Sequence, residues 1–129
     1  TTKEAGDTMP NQEIIKYTLN LLKTMEEGMD YVKAKLGELN IEGTVMVLTD
    51  LITAFTEVEK SISPMIEKLS KNNIMEKSDK LRRAFDTMVR EFETTKGQKA
   101  YEIMQFTLEP TFKNWKEDLE SILKPYVLS

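Results

Sequence analysis

Apolar and small residues recur along this chain in alternating steps of three and four, the spacing that keeps one stripe on one side of an α-helix. The pattern is longest over residues 41–69. There Ile41, Thr44, Leu48, Leu51, Phe55, Val58, Ile62, Met65 and Leu69 form an unbroken seam. Val45, Val47, Ile52 and Ala54 flank it on both edges, in its first half only. A helix apolar over so much of its circumference should touch several neighbours at once. Its wide half, from Thr44 to Phe55, is the place to seek a neighbour that the chain does not itself contain.

Three more stripes complete the pattern. Ile15, Thr18, Leu22, Met25, Met29, Val32, Leu36 and Leu39 predict a first helix that starts near Pro10-Asn11, with Thr8 or Asn11 as N-cap, and ends near Gly37. One edge of this helix carries Ile14 and Leu21 early, but Gly28 and Lys35 later. Gly37 to Gly43 then interrupts the pattern, with Asn40 available as a cap, and so short a link joins antiparallel neighbours. At Ser63-Pro64 the apolar phase continues to Met65 and Leu69, and Pro64 falls on the outer side. The second helix is therefore expected to bend there and continue. Asn73 and Glu76 resemble a capping box. They open a third helix with Ile74, Leu81, Phe85, Met88 and Phe92 inward, closed by Lys96-Gly97. The fourth starts near Gln98 with Tyr101, Met104 and Leu108 inward. Past Pro110 its stripe steps over by one position to Phe112, Trp115, Leu119, Ile122 and Tyr126, as at a proline bend.

The expected fold is all-α: an antiparallel up-down-up-down four-helix bundle with proline bends in helices 2 and 4. Residues 1–10 read as a flexible lead-in and 11–129 as one four-helix-bundle domain, large enough for a core without staples. No run reaches the roughly 18 apolar residues of a membrane span, and residues 1–10 lack a signal-peptide hydrophobic region. A cytoplasmic location is expected, with no membrane partner.

Composition narrows the chemistry. The chain has no cysteine and no histidine, so disulfides, thiolate zinc sites, cysteine nucleophiles and the usual neutral-pH proton shuttle are excluded. The di-iron bundle pattern needs Glu-x-x-His, and no inward position of the first three stripes carries Asp or Glu. Glu109 and Asp118 lie beside the fourth seam without an opposing acidic set. No metal or other cofactor is expected. A Ser–Lys pair is the remaining nucleophile arrangement, and none of Ser61, Ser63, Ser70 and Ser78 sits in a strained turn with a lysine in reach. No catalytic residue is expected, and the chain reads as a non-enzyme.

Net charge is −4 with both signs mixed, which disfavours nucleic acid as a partner. The three arginines, Arg82, Arg83 and Arg90, share the third helix with Lys77 and Lys80. Asp79 precedes Arg83 by four and Asp86 precedes Arg90 by four, the order that favours helical ion pairs. That strip reads as a solvated face, not a phosphate contact.

Eight methionines exceed ordinary usage. Met25, Met29, Met65, Met88 and Met104 fall on seams, where thioethers fill gaps; the competing reading is an adaptable surface that accepts partner helices. Met46 and Ile103 lie off the seams, and Phe106 is marginal to its own. With Ile52 they are the candidate partner contacts. Phe55, Phe85, Phe92 and Trp115 are the candidate lining of a Met/aromatic pocket, whereas Tyr17 and Tyr31 read as packing at the core edge.

The stretches EIIKYTLNLLKTMEEGMDYV and LEPTFKNWKEDLESIL resemble small uncharacterised helical-bundle proteins of Gram-positive bacteria. In architecture the chain is similar to flagellar-type export chaperones, short acidic bundles that hold a partner's amphipathic helix. Neither resemblance assigns a functional residue. The expected function is a non-enzymatic protein-interaction bundle, acting as homo-oligomer, adaptor or chaperone-like module. Its partner would be another protein or a second copy of the chain, as in a homodimer. The alternative is a bundle that binds a small ligand or lipid in the aromatic pocket.

Overall fold

The computed structural model describes residues 12–69 and 72–127, and all regular structure among them is helical. The long helices are α1 (Gln12–Gly37), α2 (Ile41–Ile62) and α3 (Ile74–Thr95). A fourth rod over 100–123 joins α4 (Ala100–Ile103), a π-helical segment (Met104–Leu108) and α5 (Glu109–Leu123). The expected lead-in over residues 1–10 and the N-cap candidates Thr8 and Asn11 lie outside the described residues.

Neighbouring rods run in opposite directions. Tyr17 meets Glu57 while Gly28 meets Val47 and Leu51, so α1 and α2 are antiparallel. Phe55 contacts Phe85 and Glu59 contacts Arg82, which reverses α3 on α2. Lys77 meets Asp118 and Glu91 meets Lys99, which reverses the fourth rod on α3. Glu26–Lys116 and Lys33–Glu109 close the square. The result is an all-α four-helix bundle in which α2 and the fourth rod face each other across the diagonal.

The core follows the predicted stripes, from Ile15, Leu22 and Met29 through Leu48, Phe55 and Leu81 to Trp115 and Leu119. Buried threonines are satisfied within their own helices: Thr18 Oγ1 donates to the Ile14 carbonyl at 2.8 Å and Thr44 Oγ1 to that of Asn40 at 2.7 Å. Asn40 caps α2 as expected, its Oδ1 accepting from Gly43 N–H at 3.3 Å.

Local geometry overturns several expectations. Leu39 is not a seam residue: it is 84% exposed. It has φ 61° and occupies the left-handed position of a helix-ending motif. Its own N–H bonds the Leu36 carbonyl at 3.0 Å and the Asn40 N–H bonds that of Lys35 at 2.8 Å. The second helix does not bend and continue through Pro64. It ends at Ile62, and a 3₁₀ turn, Ile66–Lys68, follows. Pro64 has no N–H to extend the ladder and its ring crowds the carbonyl at 60. Met65, Ile66 and Leu69 are still buried beneath the bundle, so the apolar phase survives although the α-helix does not. Asn73 makes no capping hydrogen bond; Asn72 Oδ1 instead accepts from Ile74 N–H at 3.1 Å.

The fourth rod contains a bulge where the sequence predicts a bend. Its buried positions Ala100, Met104, Leu108 and Phe112 are each four apart. In an α-helix of 3.6 residues per turn, each such step overshoots by about 40°. The π-helical segment absorbs the excess: Glu109 N–H reaches back five residues to the Met104 carbonyl. The widened turn also relieves Pro110, which cannot donate to residue 106. Ala100 therefore faces inward and Tyr101, predicted inward, is 41% exposed; at the far end Leu123 is buried where Ile122 was expected.

A candidate interaction groove between the first two helices

Beside its core stripe, α1 presents a second line, Tyr17, Leu21, Thr24, Gly28 and Tyr31, with the same alternating spacing. On α2 the facing line is Val47, Leu51 and Ala54. Gly28 lets the two helices approach: a Cβ there would meet Leu51 Cδ2 at 2.9 Å and Val47 Cγ1 at 3.7 Å. Glycine inside a helix costs roughly 1 kcal/mol relative to alanine, so the position trades helix stability for a depression. Above it a cavity of about 330 Å³ opens outward. Met25, Gly28, Val47, Leu51 and Ala54 supply its apolar walls, and Thr24, Glu27, Tyr31 and Asp50 its polar rim.

Tyr31 lines the depression, and Tyr17 stands seven positions before its Thr24 edge on α1. Tyr17 is 51% and Tyr31 43% exposed. The Tyr17 hydroxyl lies 3.5 Å from a Glu57 carboxylate oxygen, and the Tyr31 hydroxyl lies beside Gly43. The charged residues that line the cavity, Glu27 and Asp50, are both acidic, and neither forms an ion pair among the described residues. Lys35, over the Tyr31 ring at 5.6 Å, is bonded to Glu38 at 3.3 Å.

Away from this groove Glu26, Glu38, Glu59, Asp79, Glu109, Asp118 and Glu120 are in ion pairs. Lys116 reaches Glu26 at 2.8 Å and Glu120 at 3.0 Å. Burial pushes the Lys116 ammonium down, but its bonds to Glu26 and Glu120 outweigh that and hold it above its ordinary value. The Lys116 hydrogen bond in turn holds Glu26 below the usual carboxylate range. Glu91 is buried near the C-terminal end of α3, beside the turn to α4. Its carboxylate accepts from the Thr95 hydroxyl and, at 2.6 Å, from the Lys99 backbone N–H, and both bonds lower its pKa. Arg82, not Arg83, takes Asp79, at 2.6 Å, and it also bonds Glu59 across to α2. These two carboxylate bonds hold the Arg82 guanidinium above its ordinary value. The interhelical partner favours Arg82 because its face of α3 is the one turned towards α2.

Between α2 and α3 lies a second depression, of about 170 Å³, lined by Val45, Ile52, Val89 and Phe92 among others. The wide half of α2 is thus shared between two grooves, Val47 and Ala54 in one and Val45 and Ile52 in the other. Met46, 74% exposed, stands on the outward ridge between them.

The four candidate contact residues do not come together. Met46 on α2 and Phe106 on the fourth rod are both about three-quarters exposed, at 74% and 73%, but their rods are diagonal and their outer faces point apart. Ile52 and Ile103 are half-buried against the core. Of the four candidate pocket residues, three form one packed cluster in the middle of the bundle. Phe55 lies 5.6 Å from Phe85 and 5.3 Å, edge-on, from Trp115. Trp115 is fully buried. These rings fill space against one another, while Phe92 stands apart in the second groove. The replacement of Leu21 by Gly28 seven residues later was the sequence signal for the first groove. Asp50 and Tyr31 carried none.

Among the described residues no group of three or more acidic side chains is placed to hold a metal, and no helix is long and apolar enough to cross a membrane. A family model described as a domain of unknown function, DUF8042, matches residues 13–118, which include both grooves. No curated protein and no solved structure matches the chain.

Proposed function

We propose, from the premise that the chain belongs to the DUF8042 family, that it is a non-enzymatic protein-interaction bundle whose contact surface is the groove between α1 and α2. The observation that carries this reading is the outward-facing apolar depression lined by Gly28, Val47, Leu51 and Ala54, where Gly28 lets Leu51 of α2 come close to α1. The exposed Tyr31 on its rim suits the same role, because aromatic residues are enriched where proteins meet. Side chains of a partner helix would enter the depression as knobs.

A titration of isotopically labelled protein with a neutral, helix-forming Leu/Ala peptide tests the reading. Amide and methyl shifts should concentrate at Gly28, Val47, Leu51 and Ala54, and should vanish in Ala54→Trp, which fills the groove from α2. Shifts confined to the face around Phe106, or none at millimolar peptide, would count against it.

A second reading places a small apolar ligand or acyl chain in the same groove. The volume of about 330 Å³ supports it, since it falls at the lower end of small-molecule sites. Native mass spectrometry of freshly purified protein decides: a bound mass lost in Ala54→Trp favours the ligand.

A further inference from the structure

We infer that the occupant of the α1–α2 groove is a basic amphipathic helix from a different protein, not a second copy of this chain. The inference rests on the interaction reading above and specifies the partner's chemistry. Both charged residues lining the groove, Glu27 and Asp50, are acidic and lack an ion-pair partner among the described residues. Glu57 extends the acidic edge beside Tyr17. Over its whole length α2 carries Glu42, Asp50, Glu57 and Glu59 against one base, Lys60. Lys16 and Lys23 are exposed and line no part of the groove, Lys23 sharing an adjoining surface depression with Glu26, Glu27 and Asp30, and Lys35 is bonded to Glu38. A bound helix with lysines or arginines flanking its apolar stripe would meet both carboxylates, whereas an acidic helix or an anionic lipid surface would be repelled by them.

The same two residues argue against self-association here. A two-fold dimer buries the same patch from both subunits, so it would bring four unpaired carboxylates, Glu27 and Asp50 of each copy, into one interface. A head-to-tail contact would need a free basic amphipathic helix, and the apolar faces of all four rods are committed to the chain's own core. The groove also sets a length. Its lining runs from Thr24 to Tyr31 on α1, seven positions apart, which is about 10.5 Å and matches about two turns of a partner helix.

The test uses the full chain and three peptides of equal length with one Leu/Ala stripe, flanked by Lys, Gln or Glu. At about 0.05 M salt the Lys peptide should bind about 5-fold more tightly than the Gln peptide, and the Glu peptide more weakly than either. The gap should shrink at about 0.5 M salt, where exposed charges are screened. In the double variant Glu27→Gln, Asp50→Asn the Lys and Gln peptides should bind alike. Equal binding of Lys and Gln peptides to the unaltered groove overturns the inference but leaves the interaction reading standing. Binding of none of the three overturns that reading itself. Sedimentation of phosphatidylserine vesicles with the protein, or a concentration-dependent dimer abolished by Ala54→Trp, also overturns the inference.

Discussion

The indole N–H of Trp115 donates to Ser78 Oγ at 3.0 Å, a hydrogen bond between two buried side chains that ties the fourth rod to α3. Trp115 packs on Phe55 and Phe112, so the bond orients the ring on which the aromatic cluster is built. Ser78→Ala leaves a buried donor without a partner and should cost about 1–3 kcal/mol. Urea denaturation should show this as a lower midpoint with an unchanged slope. A loss below ~0.5 kcal/mol would mean that the indole finds another acceptor.

Two left-handed positions predict opposite responses. Leu39 holds φ 61° with its side chain almost wholly in solvent, so Leu39→Gly removes strain and little packing. It should stabilise the protein by about 1 kcal/mol. At Gly97, φ is 87° and a Cβ would lie 2.9 Å from Phe92 Cε1, so Gly97→Ala should destabilise by about 1–2 kcal/mol. Thermal melts of both variants provide the comparison, and equal signs would refute the assignment.

Acid should weaken the fold, and the sign follows from direction alone. Glu91 and Glu26 have folded pKa values below the ordinary 4.5. Their stabilising effect is fully present above that value and disappears as pH falls through the folded values. Lys116 is raised above 10.5, so its contribution is present below that pH and is lost only at higher alkalinity. With no histidine in the chain, Tm should be nearly flat between about pH 6 and pH 9 and fall below about pH 4.5. Glu91→Gln should lower Tm at neutral pH and flatten the acid limb. An acid limb as steep as that of the parent would remove Glu91 from the explanation.

The π-helical segment behaves as one inserted residue. Removing Thr107 brings Met104, Leu108, Phe112 and Trp115 into ordinary α-helical phase, and Pro110→Ala restores the missing N–H. The combined variant should stay folded, keep its helical circular dichroism and melt no lower than the parent. A molten, dye-binding product would show that the bulge is required for packing.

Much of the architecture was legible because burial writes itself as period. Ile15 to Leu36, Thr44 to Ile62 and Leu81 to Met88 are buried where their spacing puts them. What escaped depends on backbone details that carry no apolar signal. Leu39 looks like the next seam residue, yet the α1 terminus turns it outward; Pro64 keeps the phase while ending the helix. In the fourth rod the run of four-residue steps from Ala100 to Phe112 is present in the sequence, but a proline bend at Pro110 predicts the same shift of phase as a π-bulge. The site was less legible than the fold. The wide half of α2 borders both grooves, whereas Met46 and Ile103 lie off the seams and Phe106 is marginal to its own. Only the folded arrangement shows that the rods of Met46 and Phe106 are diagonal and that a depression lies at Gly28 beside Val47.

Because each rod packs against its predecessor in the chain, most core contacts form between residues near in sequence, and such topologies fold in microseconds to milliseconds. The hairpins α1–α2 and α3–fourth rod are the natural early units. The long closure that brings Lys33 against Glu109, 76 positions away, is expected to come last. Substitutions at that seam should leave the folding rate almost untouched and act on how fast the bundle comes apart.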